Sequence, residues 1–100
     1  MYTLDLVLMG KWFDMIESGV KTEEYRENKP YWKNRLLWKQ YEYGIPTYRF
    51  KPFTHVRFRR GYTSIAMLYE IKEITIGVGK QEWGAPPDSC FIIKLGTRIQ

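Results

Sequence analysis

The chain has 100 residues, 44% of them hydrophobic and 17% aromatic, so residues 1–100 suffice for one domain with a single core and are too few for two. Its one cysteine excludes an internal disulfide and favours a reducing compartment, and one cysteine with one histidine excludes a structural zinc site of the usual kind. No leader-like opening and no apolar run of about 20 residues is present, which predicts a soluble, cytoplasmic protein without a membrane partner.

The positive charge is concentrated in one part of the chain. The formal net charge is +5, and residues 29–60 hold nine lysines and arginines against one acidic residue, Glu42, which gives +8 there and −3 for the rest. The same window holds nine of the seventeen aromatic residues. Because cations neutralise phosphates and flat side chains stack on bases, this composition favours contact with nucleic acid or nucleotides over a merely solvated basic face.

The first predicted elements are a strand and a short helix. Residues 2–8 are rich in strand formers and predict a central strand. Residues 11–18 place their apolar side chains on one helical face, and Gly19 ends this helix with a left-handed reversal.

The next segment, residues 21–26, holds the densest cluster of opposed charge in the chain. Side chains alternate in an extended segment, so Glu24 and Arg26 are expected on one face and Tyr25 on the other. Lys21 lies at the entrance, where its long side chain can reach the same place. The pattern therefore predicts a ligand site made of a carboxylate, an ammonium and a guanidinium.

The middle of the chain is predicted as a helix, a loop and a strand. Residues 30–38 allow a second helix with Pro30 in its first turn. Residues 41–52 contain one glycine and two prolines without regular period, which predicts a long surface loop. Residues 55–59 alternate cleanly and predict a half-exposed strand with a basic outer face.

The last third is predicted to be mostly strand. Residues 64–76 form one long β-branched run whose alternation slips near Lys72, which indicates a bulge. Residues 90–95 form the closing strand, in which Cys90 is expected to be a small buried hydrophobe. The predicted fold class is α+β, mainly β: a small barrel of about five to six strands with two or three short helices.

Two loop aromatics are further candidate ligand-binding residues. Tyr62 and Trp83 each flank a glycine, where an aromatic ring either caps the core or offers its face to a base. Capping of the core is the favoured interpretation of both.

The pattern Gly19-x-Lys21-x-x-Glu24-x-Arg26 after a short helix resembles the signature of ASCH domains, small β-barrels similar to the PUA fold. The resemblance spans nearly the whole chain, because further matching features follow in the family's order: the helix at 12–18, Phe58-x-x-Gly61-Tyr62, Trp83-Gly84, and Phe91 to Gly96. It implies a single ASCH domain over residues 1–100, with a cleft beside the first helix and Lys21, Glu24 and Arg26 at its opening.

The resemblance also implies a function. Members of the family bind RNA or modified nucleosides, and a bacterial subset removes the acyl group from N4-acetylcytidine with a lysine that corresponds to Lys21, a threonine nucleophile and a glutamate. In this chain Glu24 occupies the position of that threonine, and glutamates 70, 73 and 82 match the family's glutamate by region only. Deacylation through a threonine nucleophile is therefore not carried over.

The predicted function is binding of RNA, a nucleotide or a modified nucleoside through Lys21, Glu24 and Arg26, without a cofactor or a metal. Basic side chains of the middle region are expected to guide the phosphates: Lys33, Arg35, Arg57, Arg59 and Arg60.

Three alternatives stay open at this point. In the first, the protein is a small hydrolase, an amidohydrolase or a ribonuclease, in which Lys21 and Glu24 are catalytic. In the second, the three charged side chains only neutralise one another at the barrel rim. In the third, exposed tyrosines and tryptophans of the middle region anchor a protein partner.

Overall fold

Seven strands and two α-helices make up the fold, and the computed structural model describes all 100 residues. In chain order the elements are β1 (Thr3–Leu8), α1 (Gly10–Glu17), β2 (Glu23–Glu27), α2 (Pro30–Leu36), β3 (Leu37–Glu42), β4 (Ile45–Phe50), β5 (His55–Arg60), β6 (Ala66–Gly77), a 3₁₀ turn (Gln81–Trp83) and β7 (Cys90–Arg98). The predicted α+β, mainly β class is confirmed. No helix combines the length and the apolar character needed to cross a membrane.

Five strands form one curled sheet in the order β1-β5-β6-β7-β2. The pairing of β1 with β5 is parallel and the other pairings are antiparallel. The edge strands β1 and β2 are not paired with each other, so the sheet is barrel-like with one open seam. A side chain spans this seam, since Nη2 of Arg26 on β2 donates to the Val7 carbonyl on β1 at 3.2 Å.

The prediction of a central first strand is wrong, because β1 lies at an edge of the sheet. Its buried residues are Leu4, Leu6 and Leu8, whereas Asp5 and Val7 are exposed. Only one face of β1 is therefore covered. The order of strands depends on pairing between distant segments, which the strand formers within one segment do not encode.

Apolar side chains cover both faces of the sheet at β7. Phe91 and Ile93 join a main cluster of 12 buried residues, and Cys90 and Ile92 join Tyr25 and Ala85 in a second, smaller cluster. Successive residues of a strand face opposite sides, so one strand contributes to both clusters. Cys90 is fully buried, as predicted, and burial raises the pKa of its thiol.

Several local predictions are confirmed. The helix α1 lies where the sequence placed it, and β5 buries Val56 and Phe58 while Arg59 is exposed. The helix α2 begins at Pro30 as predicted but ends at Leu36, because β3 begins at the next residue. The pairing of β6 with β7 shifts register on both sides of Ile71, at the expected bulge.

The prediction of a loop at residues 41–52 is wrong, because β3 and β4 form an antiparallel hairpin. Its two-residue turn is Tyr43-Gly44, with φ of 51° and 77°. Pro46 lies in β4 opposite Tyr41, and a two-stranded hairpin tolerates proline because each strand has an open edge. Glycine and proline thus signalled a loop where the chain makes a tight turn between two short strands.

Candidate functional site

The charged cluster is built where the chain reverses after α1. Gly19 adopts φ of 85°, a left-handed conformation that favours glycine, and the Lys21 amide then donates to the Met15 carbonyl at 3.0 Å. In β2, Glu24 lies opposite Ile93 and Arg26 lies opposite Phe91, both residues of the main core. Glu24 and Arg26 therefore share the core-facing side of the sheet, as predicted.

Both oxygens of the Glu24 carboxylate are engaged by cations. Oε1 lies 3.1 Å from Nζ of Lys21, and Oε2 accepts from Nη1 of Arg26 at 2.6 Å. Lys21 and Glu24 are only 1% and 4% exposed. Burial lowers the pKa of the Lys21 amine, and the charge of Glu24 partly opposes that shift. The three side chains form one buried, mutually satisfied network.

The ammonium of Lys21 is enclosed on its other sides. It donates to the Trp83 carbonyl at 2.6 Å and lies 4.5 Å from the centroid of the Tyr25 ring and 5.5 Å from that of Trp12. The Tyr25 hydroxyl donates to Glu23 and accepts from the Lys80 amide, and burial raises the pKa of this phenol. Lys21 thus lies behind Glu24, away from solvent.

A cleft of about 690 Å³ opens beside this network, within the usual size range of small-molecule sites. It lies at the open seam of the sheet, between β1, β2 and α2. Its aromatic lining residues are Trp12, Tyr25, Tyr31, Trp32 and Tyr62, and its charged lining residues are Asp5, Glu24, Arg26, Glu27 and Arg35. Glu24 and Arg26 therefore line the opening as predicted, whereas Lys21 does not.

Two arginines frame one tryptophan in this cleft. The guanidinium carbons of Arg26 and Arg35 lie 5.1 and 5.6 Å from the centroid of the Trp32 ring, within cation–π range. Arg26 donates to the Val7 carbonyl and Arg35 to the Asp5 carbonyl at 3.4 Å. Both arginines therefore donate to carbonyls on the unpaired edge of β1 and hold the Trp32 ring beside that edge.

The two loop aromatics differ in their placement. Tyr62 is 97% exposed at the rim of the cleft, so the expectation that it caps the core is wrong. The turn Gly61-Tyr62 holds it outside the sheet. Trp83 is half-buried and packs against the second cluster, as a capping residue does, with Nζ of Lys80 4.2 Å from its ring centroid. Trp83 reaches the network through its carbonyl and does not line the cleft.

The five basic residues predicted to guide phosphates are dispersed. Arg35 lines the cleft, and Lys33 is exposed elsewhere on α2. Arg57 and Arg59 line a shallow depression next to Asp5, with Nη1 of Arg57 3.5 Å from its carboxylate. Arg60 forms a two-pronged ion pair with Asp14 on α1 at 3.0 and 2.9 Å. The structure brings none of the last three into the cleft.

The sequence did not single out the tryptophans that line the cleft, Trp12 and Trp32. Trp12 was assigned to the core face of α1, and Trp32 was counted only as part of a basic, aromatic region. One local signal was available for α2: Tyr31 and Arg35 are four residues apart on one helical face, and Arg35 donates to the Tyr31 hydroxyl at 3.3 Å. No comparable local signal indicated that the half-buried Trp12 lines the cleft.

No protein-family model matches the chain, and searches of curated proteins and of solved structures found no significant match. No group of three or more histidine, cysteine, aspartate or glutamate side chains is placed to hold a metal ion. The function is therefore inferred from the geometry of the cleft.

Proposed function

We propose that the protein is an ASCH domain with a PUA-like barrel, and that its cleft binds a nucleoside or nucleotide, free or within RNA. One observation carries this proposal: an aromatic-lined cleft of about 690 Å³ contains the buried carboxylate of Glu24, which is paired with two cations. The same cleft contains two backbone carbonyls on the unpaired edge of β1, each of which accepts from an arginine. A planar, polar ligand fits such a site, because aromatic rings stack on a base while fixed polar groups read its edge.

Glu24 is the residue that recognises the base edge in this proposal. A carboxylate offers about four lone-pair sites, and the contacts with Lys21 and Arg26 occupy two of them. The remaining sites can accept from an amino or imino group of a base. Lys21 and Arg26 balance the negative charge, so the carboxylate keeps its orientation without a ligand.

Arg26 and Arg35 supply hydrogen-bond donors to the same cleft. Each guanidinium has five N–H groups, and its hydrogen bonds to backbone carbonyls and neighbouring side chains leave others free to meet a phosphate or a base oxygen. Lys33 and Arg59 form no salt bridge and extend the basic surface outside the cleft. Arg60 is a weaker candidate, since Asp14 already neutralises it.

Binding accounts for the geometry better than hydrolysis does. A catalytic Lys21 must reach the bond that it cleaves, but its ammonium lies behind Glu24 and is sealed by Trp83 and Tyr25. Catalysis by Lys21 and Glu24 therefore requires the network to open. Release of acetate from N4-acetylcytidine, or cleavage of a short RNA, by purified protein would favour the hydrolase.

The test is a panel of the common nucleosides, N4-acetylcytidine and the nucleoside 5′-monophosphates, with ligand-induced stabilisation as the readout. We expect at least one compound to stabilise the wild type. Trp32→Leu and Glu24→Gln should each weaken that binding about tenfold or more, through loss of stacking or of the carboxylate's charge and one of its two acceptor oxygens. Lys72→Gln, exposed on β6 outside the cleft, is the matched control and should bind as the wild type does. Binding that all four proteins share equally would refute the proposal.

A further inference from the structure

The hairpin of β3 and β4 stands away from the body of the protein. Only its base is packed: Leu37 and Phe50, the first pair of the hairpin, contact the main core. Beyond that pair every residue except Thr47 is exposed.

The exposed part of the hairpin is rich in large apolar side chains. Tyr41, Tyr43, Ile45 and Tyr48 are 65%, 104%, 63% and 56% exposed, and Trp38 is 38% exposed. Isolated two-stranded hairpins are marginally stable in water, and Tyr41 and Tyr48, which share one face of this hairpin, present exposed apolar surface of the kind that marks an interaction site. These side chains do not support the fold, because they contact little of the body.

The tip of the hairpin is held in an unfavourable conformation. Tyr43 is the one non-glycine residue with positive φ, 51°, and it begins a turn in which asparagine or aspartate is the preferred residue before glycine. A bulky side chain in this conformation is strained, and the ring of Tyr43 gains no contact in return. Backbone strain that no packing contact of the side chain offsets is a feature of functional positions.

The cations of the hairpin lie beside aromatic rings instead of carboxylates. Nζ of Lys39 is 5.4 Å from the Tyr41 ring centroid, and the Arg49 guanidinium is 5.3 Å from that of Trp38. Neither cation forms a salt bridge, and Glu42 is the only acidic residue of the two strands. Unpaired cations beside exposed rings are complementary to a flexible polyanion whose bases can stack.

We propose that this hairpin is a second nucleic-acid contact, which binds single-stranded RNA by stacking bases on Tyr41, Tyr43 and Tyr48. The inference rests on the proposed function of the cleft and extends its ligand from a nucleoside to a strand. The connection is direct, since α2 lines the cleft with Tyr31, Trp32 and Arg35 and continues into β3 without a loop.

The test uses a fluorescent oligouridylate of about 12 nucleotides, a length within the range of known single-strand sites, and measures its anisotropy. Tyr43→Asn should weaken binding about fivefold to a hundredfold, as expected for the loss of one stacked base, and should also raise the melting temperature by relieving the strained turn. Tyr43→Phe keeps the ring and is the matched control, with unchanged affinity.

A second variant guards against an indirect effect at the turn. Tyr41→Ser combined with Tyr48→Ser alters two exposed side chains outside the turn and should also weaken oligouridylate binding at least fivefold. The nucleoside panel should bind all hairpin variants as it binds the wild type. That separates the two proposals: loss of nucleoside binding only in the cleft variants supports the cleft, and loss of oligouridylate binding in the hairpin variants supports the hairpin.

Three results would overturn the inference and leave the cleft proposal standing. They are nucleoside binding without any oligouridylate binding, equal oligouridylate affinity of the wild type, Tyr43→Asn and the double variant Tyr41→Ser/Tyr48→Ser, and a dimer in sedimentation that Tyr43→Asn and the double variant abolish. The last result would assign the hairpin to a second copy of this chain. Oligouridylate binding that depends on the hairpin, with no nucleoside binding by any protein, would instead remove the cleft proposal.

Discussion

The charged network of β2 and the hairpin of β3 and β4 contain the same kinds of residues in opposite states. In the network, Lys21 and Arg26 are buried or nearly so and share one carboxylate. In the hairpin, Lys39 and Arg49 are exposed and lie beside aromatic rings without an acidic partner. No buried side-chain nitrogen or oxygen of the network lacks a hydrogen-bond partner, whereas the hairpin leaves its aromatic side chains exposed.

This difference separates structural cations from available ones. The buried Lys21 can bind a phosphate only by giving up its carboxylate partner, which leaves a buried charge and is costly, whereas Arg26 lines the cleft and keeps free N–H groups. An exposed cation without a carboxylate partner has no such cost. High local charge in the sequence therefore did not identify the side chains that are free to meet a polyanion.

The largest expected effect comes from breaking the buried network. Glu24→Gln removes the negative charge that Lys21 and Arg26 share and leaves a buried ammonium without a counter-ion, so we expect a loss of about 3–5 kcal/mol in the free energy of unfolding. Urea denaturation measures it. Glu42→Gln, the same substitution on the exposed hairpin, should change stability by less than about 0.5 kcal/mol.

A double variant tests the cause of that loss. Lys21→Met combined with Glu24→Gln removes both buried charges and should recover a substantial part of the stability. If Glu24→Gln costs no more than Glu42→Gln, burial does not distinguish the two regions energetically.

A smaller effect is expected from a matched pair of glycines. Gly84 near the network and Gly44 in the hairpin turn both have positive φ, 94° and 77°. Alanine at Gly44 meets no atom within 4 Å, so Gly44→Ala should cost only the backbone strain, about 1–2 kcal/mol. At Gly84 the added Cβ would lie 2.9 Å from the Trp12 ring, and Gly84→Ala should cost about 1–3 kcal/mol more through overpacking.

Urea denaturation again measures both, and nucleoside binding adds a second readout. Because Trp12 lines the cleft, its displacement in Gly84→Ala should weaken nucleoside binding, while Gly44→Ala should leave it unchanged. An equal loss in the free energy of unfolding for the two substitutions would mean that the Trp12 ring moves aside without strain.

The smallest effect is a dependence on alkaline pH. Burial raises the pKa of the Tyr25 phenol above its ordinary value of 10.0, so the folded state holds this proton more tightly than the unfolded state does. The resulting stabilisation is fully present below about pH 10 and is lost as the pH rises through the folded-state pKa. The free energy of unfolding should therefore fall at alkaline pH, and Tyr25→Phe should make that fall shallower.

The control is Tyr43→Phe, which removes an exposed phenol from the hairpin and should keep the wild-type slope. The pKa of the Lys21 amine is lowered by burial, so this group has the opposite effect on the free energy of unfolding. Its contribution rises with pH, because the buried amine destabilises the folded state less once it has lost its charge. Lys21 is common to all three proteins, so their differences isolate the phenols. Identical slopes for Tyr25→Phe and the wild type, measured by urea denaturation between about pH 8 and 11, would contradict the prediction.

Local patterns predicted the elements whose signals were periodic. The alternation of Val56 and Phe58 with Arg57 and Arg59 predicted β5, and the helical spacing before Gly19 predicted α1. In residues 41–52 the same reasoning was wrong, because a glycine in a two-residue turn and Pro46 on an open strand edge have the composition of a loop. Because nearly every residue of the six-residue strands β3 and β4 is exposed, no alternation of apolar and polar side chains opposed that signal.

The candidate site was only partly predictable for a different reason. Residues two apart on a strand share a face by covalent geometry, so the meeting of Glu24 and Arg26 followed from spacing alone. The withdrawal of Lys21 behind Glu24 and the exposure of Tyr62 depend on where Trp83 and the Gly61 turn pack, more than 30 residues away from β2 along the chain.

By itself, the sequence determined the class of the fold, the left-handed reversal at Gly19 and the shared face of Glu24 and Arg26, because each depends on backbone geometry within a few residues. Only the tertiary structure decided that β1 is an edge strand, that a cleft opens at the seam between β1 and β2, and that the cations of the hairpin lack carboxylate partners. Those features depend on pairing and packing between segments tens of residues apart, whose free energies are not encoded in any one segment.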